Sequence, residues 1–106
     1  VVAATDSLDA RSTFSSWGRC VSLYAPGSAI FSAWTGGGYM IQSGTSMAAP
    51  HVSGVAAMYL QKNPTHLPVH VRDFLLRSAT SSAVRFNDSG TVRYGTPNLL
   101  LFTAGL

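Results

Sequence analysis

Between Met47 and Leu60 almost every residue is apolar or small, and this run constrains the fold more than any other stretch. Ala48, Val52, Val55 and Tyr59 recur at the spacing of one helix face. The opposite face is scarcely more polar, so the pattern predicts a helix buried nearly all round. Gln61, Lys62 and Asn63 are polar, and Pro64 ends the run. Pro50, His51 and Ser53 interrupt it, and it is too short to span a membrane. Gly54 inside the helix costs about 1 kcal/mol relative to alanine, which predicts close packing there against a neighbouring backbone.

Such a helix needs polar chain to surround it. The 106 residues are 46% hydrophobic and only 10% charged, against about 25% charged in ordinary domains. A small free-standing domain exposes much of its area. The composition therefore predicts an interior piece of something larger. No repeat, linker or boundary divides it, so residues 1–106 read as one portion of a single domain. The formal charge of +3 reflects scarce acids, namely Asp6, Asp9, Asp73 and Asp88, with no glutamate. The basic residues are scattered, and no basic stripe with interleaved aromatics supports nucleic-acid binding. Neither a nucleic acid nor a membrane is an expected partner. No signal-peptide pattern is present in the chain.

The segment Ser43-Gly44-Thr45-Ser46-Met47-Ala48-Ala49-Pro50-His51-Val52-Ser53-Gly54 sets a hydroxyl, Ser46, where that helix begins. Free N–H groups and the positive end of the macrodipole favour negative charge at this place. The oxyanion of a tetrahedral acyl intermediate suits it. Pro50 cannot donate to the carbonyl of Ser46, which leaves the first turn open to a ligand. A serine alcohol still needs a base. His51 lies roughly 140° around the helix from Ser46 and reads as a packed helix residue. His66 and His70 are four apart, but Pro68 lies between them and two histidines make a poor metal site. Asp6 and Asp9 belong to a turn, Asp73 to an amphipathic helix and Asp88 to a polar loop. None is placed to orient a histidine.

The remaining elements read coarsely. Val1–Ala4 and Val21–Ala25 are strands, the second stopped by Pro26-Gly27. Cys20 falls in that second strand; on residue type alone it is a buried free thiol. Ile30–Trp34 and Tyr39–Ser43 form a hairpin around Thr35-Gly36-Gly37-Gly38. These glycines are not a phosphate loop, because a strand follows and no lysine is present. Val71, Phe74 and Leu75 give residues 69–78 an apolar helix face, with Arg72, Asp73 and Arg77 outward. Residues 98–102 read as a short helix or turn. Asn87-Asp88-Ser89 fits the N-glycosylation pattern, whereas Asn63-Pro64-Thr65 is excluded by its proline.

The run from Ser43 to Val52 resembles the active-serine motif of subtilisin-like serine peptidases. Phe14-Ser15-Ser16-Trp17-Gly18, Leu23-Tyr24-Ala25-Pro26-Gly27 and Gly95-Thr96-Pro97-Asn98-Leu99-Leu100 resemble further segments of that family, in the same order. The last of these matches its proteinase K branch. A G-x-S-x-G elbow is absent, since Ala48 stands two residues after Ser46.

The resemblance implies an α/β, three-layer fold with a mostly parallel sheet, present here as its C-terminal part. It implies a secreted serine endopeptidase that cleaves polypeptide substrates through an acyl-enzyme. Ser46 would be the nucleophile, and its own N–H an oxyanion donor. Thr45 would support the asparagine that completes the oxyanion hole. Met47 would line the leaving-group side and be open to oxidation.

The family orders its triad Asp, His, Ser, so the aspartate, the histidine and the asparagine are all implied upstream. The missing N-terminal part of the peptidase domain is therefore an expected partner, and the chain alone is expected to be inactive. Cys20 matches a cysteine that pairs with one upstream. Ser22 stands where relatives place an aspartate that helps bind calcium, and a neutral hydroxyl is a weaker ligand. No cofactor or metal is expected in this chain, though the intact protein retains scope for calcium. The competing reading is a truncated or split product with a binding or structural role. Asp-Thr/Ser-Gly, His-Gly-Thr and Ala-Gly-Asn segments upstream would decide for the peptidase.

Overall fold

A computed structural model describes residues 1–87, 90, 94–103 and 105–106. Strands β1 (Val2–Thr5) and β2 (Leu23–Pro26) pair in parallel, from Val2 opposite Leu23 to Thr5 opposite Pro26. A ribbon follows, β3 (Ile30–Ala33) and β4 (Tyr39–Gln42). Next come helices α1 (Thr45–Lys62) and α2 (Pro68–Ser78), and the short strands β5 (Thr80–Ser81) and β6 (Leu99–Leu100). The main sheet runs β1-β2-β6-β5, parallel except for β5. The expected α/β fold with a mostly parallel sheet is borne out.

Strand alternation sorts the core onto two faces. Ala4 and Ala25 meet Ala48 of α1, and Leu23 meets Val55 of α1 and Leu75 of α2. Both helices thus lie on one face. On the other, Ala3 and Tyr24 pack under Val84 and Phe86 of a loop. Ala4, Ala25 and Ala48 are fully buried, and their short side chains let α1 settle close to the strands.

The ends of β1 and β2 hold the start of α1. The Gly27 N–H donates to the Thr5 carbonyl at 2.9 Å, and the Gly44 N–H donates to the Gly27 carbonyl at 2.8 Å. A Cβ on Gly27 would lie 2.6 Å from the Ala4 Cβ and 2.8 Å from the Gly44 carbonyl oxygen. Only glycine leaves room for this junction.

Several expectations are corrected. Helix α1 begins around Ser46 as expected, but only Ala48 and Val55 in it are buried. All-round burial does not hold, because β1, β2 and α2 cover a single side; Met58 is 42% exposed. Gly54 has nothing within 4 Å of a Cβ built on it, so no close backbone among the described residues explains it. Cys20 lies in a turn, exposed and unpaired, because β2 begins only at Leu23. Leu99 and Leu100 form a strand instead of a helix or turn, since β2 and β5 flank them and supply the pairing. The hairpin is as expected: β3 and β4 pair antiparallel, with Gly36 at φ 80° and Gly37 at φ 85° turning the chain between them. No helix among the described residues is long and apolar enough to cross a membrane.

Candidate active site

The first turn of α1 is open. Gly44 precedes it in extended conformation and offers no side-chain cap. The N–H groups of Met47 and Ala48 both donate to the Gly44 carbonyl, at 3.0 and 3.3 Å. Those of Thr45 and Ser46 have no carbonyl behind them in the helix. They add to the positive end of the macrodipole. Pro50 sits in the second turn and cannot bond the Ser46 carbonyl. Ser46 is exposed, while Thr45 and Met47 are half-buried.

A cleft of about 390 Å³ separates this turn from the β3–β4 ribbon. Ser46, Met47 and His51 line one wall; Trp34, Met40 and Gln42 line the other. Ile30 pairs with Gln42, and Ser32 with Met40, so these four share the ribbon face towards the cleft. The Gln42 amide donates to the Met40 sulfur at 2.9 Å. No Asp, Glu, Lys or Arg is among the lining residues.

The site therefore offers an accessible alcohol, open amide donors and a neutral, largely apolar wall. No proton acceptor is hydrogen-bonded to Ser46 among the described residues. Nδ1 of His51 lies 2.8 Å from the Met47 carbonyl, one turn back on its own helix. A carbonyl only accepts, so Nδ1 carries the proton. The ring is thus bonded to its own helix, although it is half-buried and lines the same cleft as Ser46. No hydrogen bond links Ser46 to a histidine among the described residues.

The other candidates lie elsewhere. His66 and His70 follow the far end of α1, whose 18 residues span about 27 Å. The Tyr59 hydroxyl meets His66 Nδ1 at 2.6 Å, and His70 Nδ1 accepts the Leu67 N–H at 2.9 Å, capping α2. Each ring thus serves local structure. The described residues hold no group of three or more His, Cys, Asp or Glu side chains fit for a metal. Asp6 accepts the N–H groups of Leu8 and Ala10, closing the expected turn. Ser22 Oγ accepts from the amino group of Val1 at 3.2 Å. Asn87 is exposed, but Asp88 and Ser89 of its motif lie outside the described residues. Sequence reasoning missed the ribbon wall and the Gly27 junction. The alternation Met40, Gln42 beside Ile30, Ser32 was the available signal for the wall.

The model of the Subtilase family, Peptidase_S8, matches residues 1–96. The chain belongs to the subtilase family. It is 49% identical over 102 residues to alkaline serine exoprotease A of Vibrio alginolyticus, covering 96% of this chain and 18% of that protein. It is 50% identical over 104 residues to the extracellular serine proteinase of Thermus sp. strain Rt41A, covering 96% and 24%. A crystal structure of a cold adapted subtilisin-like serine proteinase superposes with a TM-score of 0.87 at 50% identity, covering 96% of this chain and 35% of that one. This subtilase chain thus spans only about a fifth to a third of the length of these relatives. Relatives named as serine proteases bear out the family resemblance over most of the chain.

Proposed function

We propose that this chain carries the nucleophile of a secreted serine endopeptidase, Ser46. The general base, the aspartate that orients it and the oxyanion asparagine would come from polypeptide outside these 106 residues. One observation carries the reading: an exposed hydroxyl on the lip of a cleft, at a helix start whose first N–H groups are unclaimed. The bare side of α1 supports a further body of chain beside it. The relative named as extracellular supports secretion.

The chemistry follows from that placement. Ser46 Oγ attacks the scissile carbonyl carbon while its proton passes to the histidine. The carbonyl electron pair moves onto oxygen, where the Ser46 N–H donates to it. Collapse breaks the C–N bond, and the histidine returns the proton to the departing amine. Water then repeats the sequence on the acyl-enzyme. Met47 flanks the leaving-group side, and Thr45 buttresses the asparagine. Cys20 is exposed and free to bond a cysteine outside the chain. Calcium in the intact protein would take its ligands from beyond these residues.

The test is hydrolysis of a peptide p-nitroanilide by the whole protein that carries this chain. Ser46→Ala is expected to lower kcat on the order of 10⁴- to 10⁶-fold and to abolish fluorophosphonate labelling. Undiminished hydrolysis by the variant would overturn the reading.

A further inference from the structure

We infer that His51, Met47 and Met40 form a binding site for a soft monovalent cation of the copper(I) class. Binding stands on these side chains alone. Its consequence, obstruction of Ser46, rests on that serine being the nucleophile. The imidazole is the first donor. Its Nδ1–H is spent on the Met47 carbonyl at 2.8 Å, so the free lone pair of the ring is on Nε2. Nε2 has no hydrogen-bond partner among the described residues. A bond from the second ring nitrogen to a backbone carbonyl is what fixes the tautomer of metal-ligating histidines.

Two thioethers complete the set. Met47 lies four residues before His51 on α1, so the two share a helix face with Cβ atoms about 5–6 Å apart. Met40 lies on the ribbon wall of the same cleft. Methionine is unbranched and flexible, so both sulfurs can turn to one ion. The Gln42 amide occupies one lone pair of the Met40 sulfur and leaves the other. Trp34, on the same wall and 46% exposed, adds an aromatic face that attracts a cation.

This donor set selects the ion. Thioether sulfur suits copper(I), whereas hard cations want carboxylate and carbonyl oxygens. No Asp or Glu lines the cleft, so a doubly charged ion would lose its water without meeting a counter-charge. A singly charged soft ion loses far less.

Silver(I), a redox-inert ion of that class, is the probe. The whole protein is titrated in chloride-free buffer with its free thiols blocked by N-ethylmaleimide, because Cys20 is exposed and would compete. NMR of ¹³C-labelled methionine methyls reads the binding. The Met40 and Met47 signals should shift together and saturate at one ion per protein. That of Met58, exposed on the far part of α1, should stay in place and reports on folding in the variants. Met40→Leu, Met47→Leu and His51→Gln should each weaken binding at least about ten-fold. Magnesium should move no signal. Hydrolysis of the p-nitroanilide should fall in step with occupancy and recover on adding excess free methionine. Equal shifts at Met58, or affinity unmoved by all three variants, would overturn the site. Saturation at Met40 and Met47 with hydrolysis undiminished would uphold the site and overturn the obstruction. A whole protein inactive before silver is added would instead sink the Ser46 reading, while the methyl signals still decide the binding.

Discussion

The Gly44 amide is bonded to the Gly27 carbonyl at 2.8 Å, only two residues before Ser46. That bond ties the turn presenting the hydroxyl to the C-terminal ends of β1 and β2. Gly27→Ala would push a methyl into Ala4 and the Gly44 carbonyl. Neither can retreat, since both belong to packed backbone or a buried strand. We expect a loss of about 1–3 kcal/mol in urea unfolding of the whole protein. A fall in the fluorophosphonate labelling rate of Ser46 should exceed what the unfolded fraction explains. Unchanged stability and labelling would show that the junction tolerates expansion.

The 106-residue chain by itself should not react with a fluorophosphonate. Its serine has no base within hydrogen-bond reach among the described residues, and an unassisted alcohol is a weak nucleophile. Mass spectrometry of the purified chain after incubation reads this directly. Stoichiometric labelling at Ser46 would show that a local group supplies the base.

Thr5 is 1% exposed, and its Oγ1 has no hydrogen-bond partner among the described residues. Its carbonyl, which accepts from Gly27 and Ser28, belongs to the main chain and survives substitution. Thr5→Val removes an unsatisfied buried hydroxyl at nearly constant volume. Stability should rise by about 1 kcal/mol, seen as a higher urea midpoint at constant slope. A lower midpoint would refute it.

Peroxide should depress hydrolysis by oxidising Met47, half-buried on the cleft wall beside Ser46. Met47→Leu should keep its activity through the same treatment. Equal sensitivity of the variant would shift the lesion to another residue, with Met40 the next candidate.

The sequence carried the elements whose signals are local. The apolar period of α1, the glycines of the ribbon turn and the amphipathic face of α2 were all readable, and each element formed. Ser46 was legible because its position depends on the helix start alone. Long-range features were not. Leu99 and Leu100 became a strand only because β2 and β5 flank them. Gly54 looked like a packing glycine, yet the side of α1 that it occupies is uncovered. Gly27 read as a strand stop, while its greater role is steric and involves Ala4 and Gly44, far away in sequence. The cleft needed two segments at once, so neither Trp34 nor Met40 announced itself.

The stretch from Ile30 to His51 holds both the proposed attacking group and the surface facing it across the cleft. A single uninterrupted piece of gene can therefore supply the proposed attacking group and the surface opposite it, so exchanging that stretch between relatives would replace both sides of the cleft at once and leave the scaffold beneath untouched.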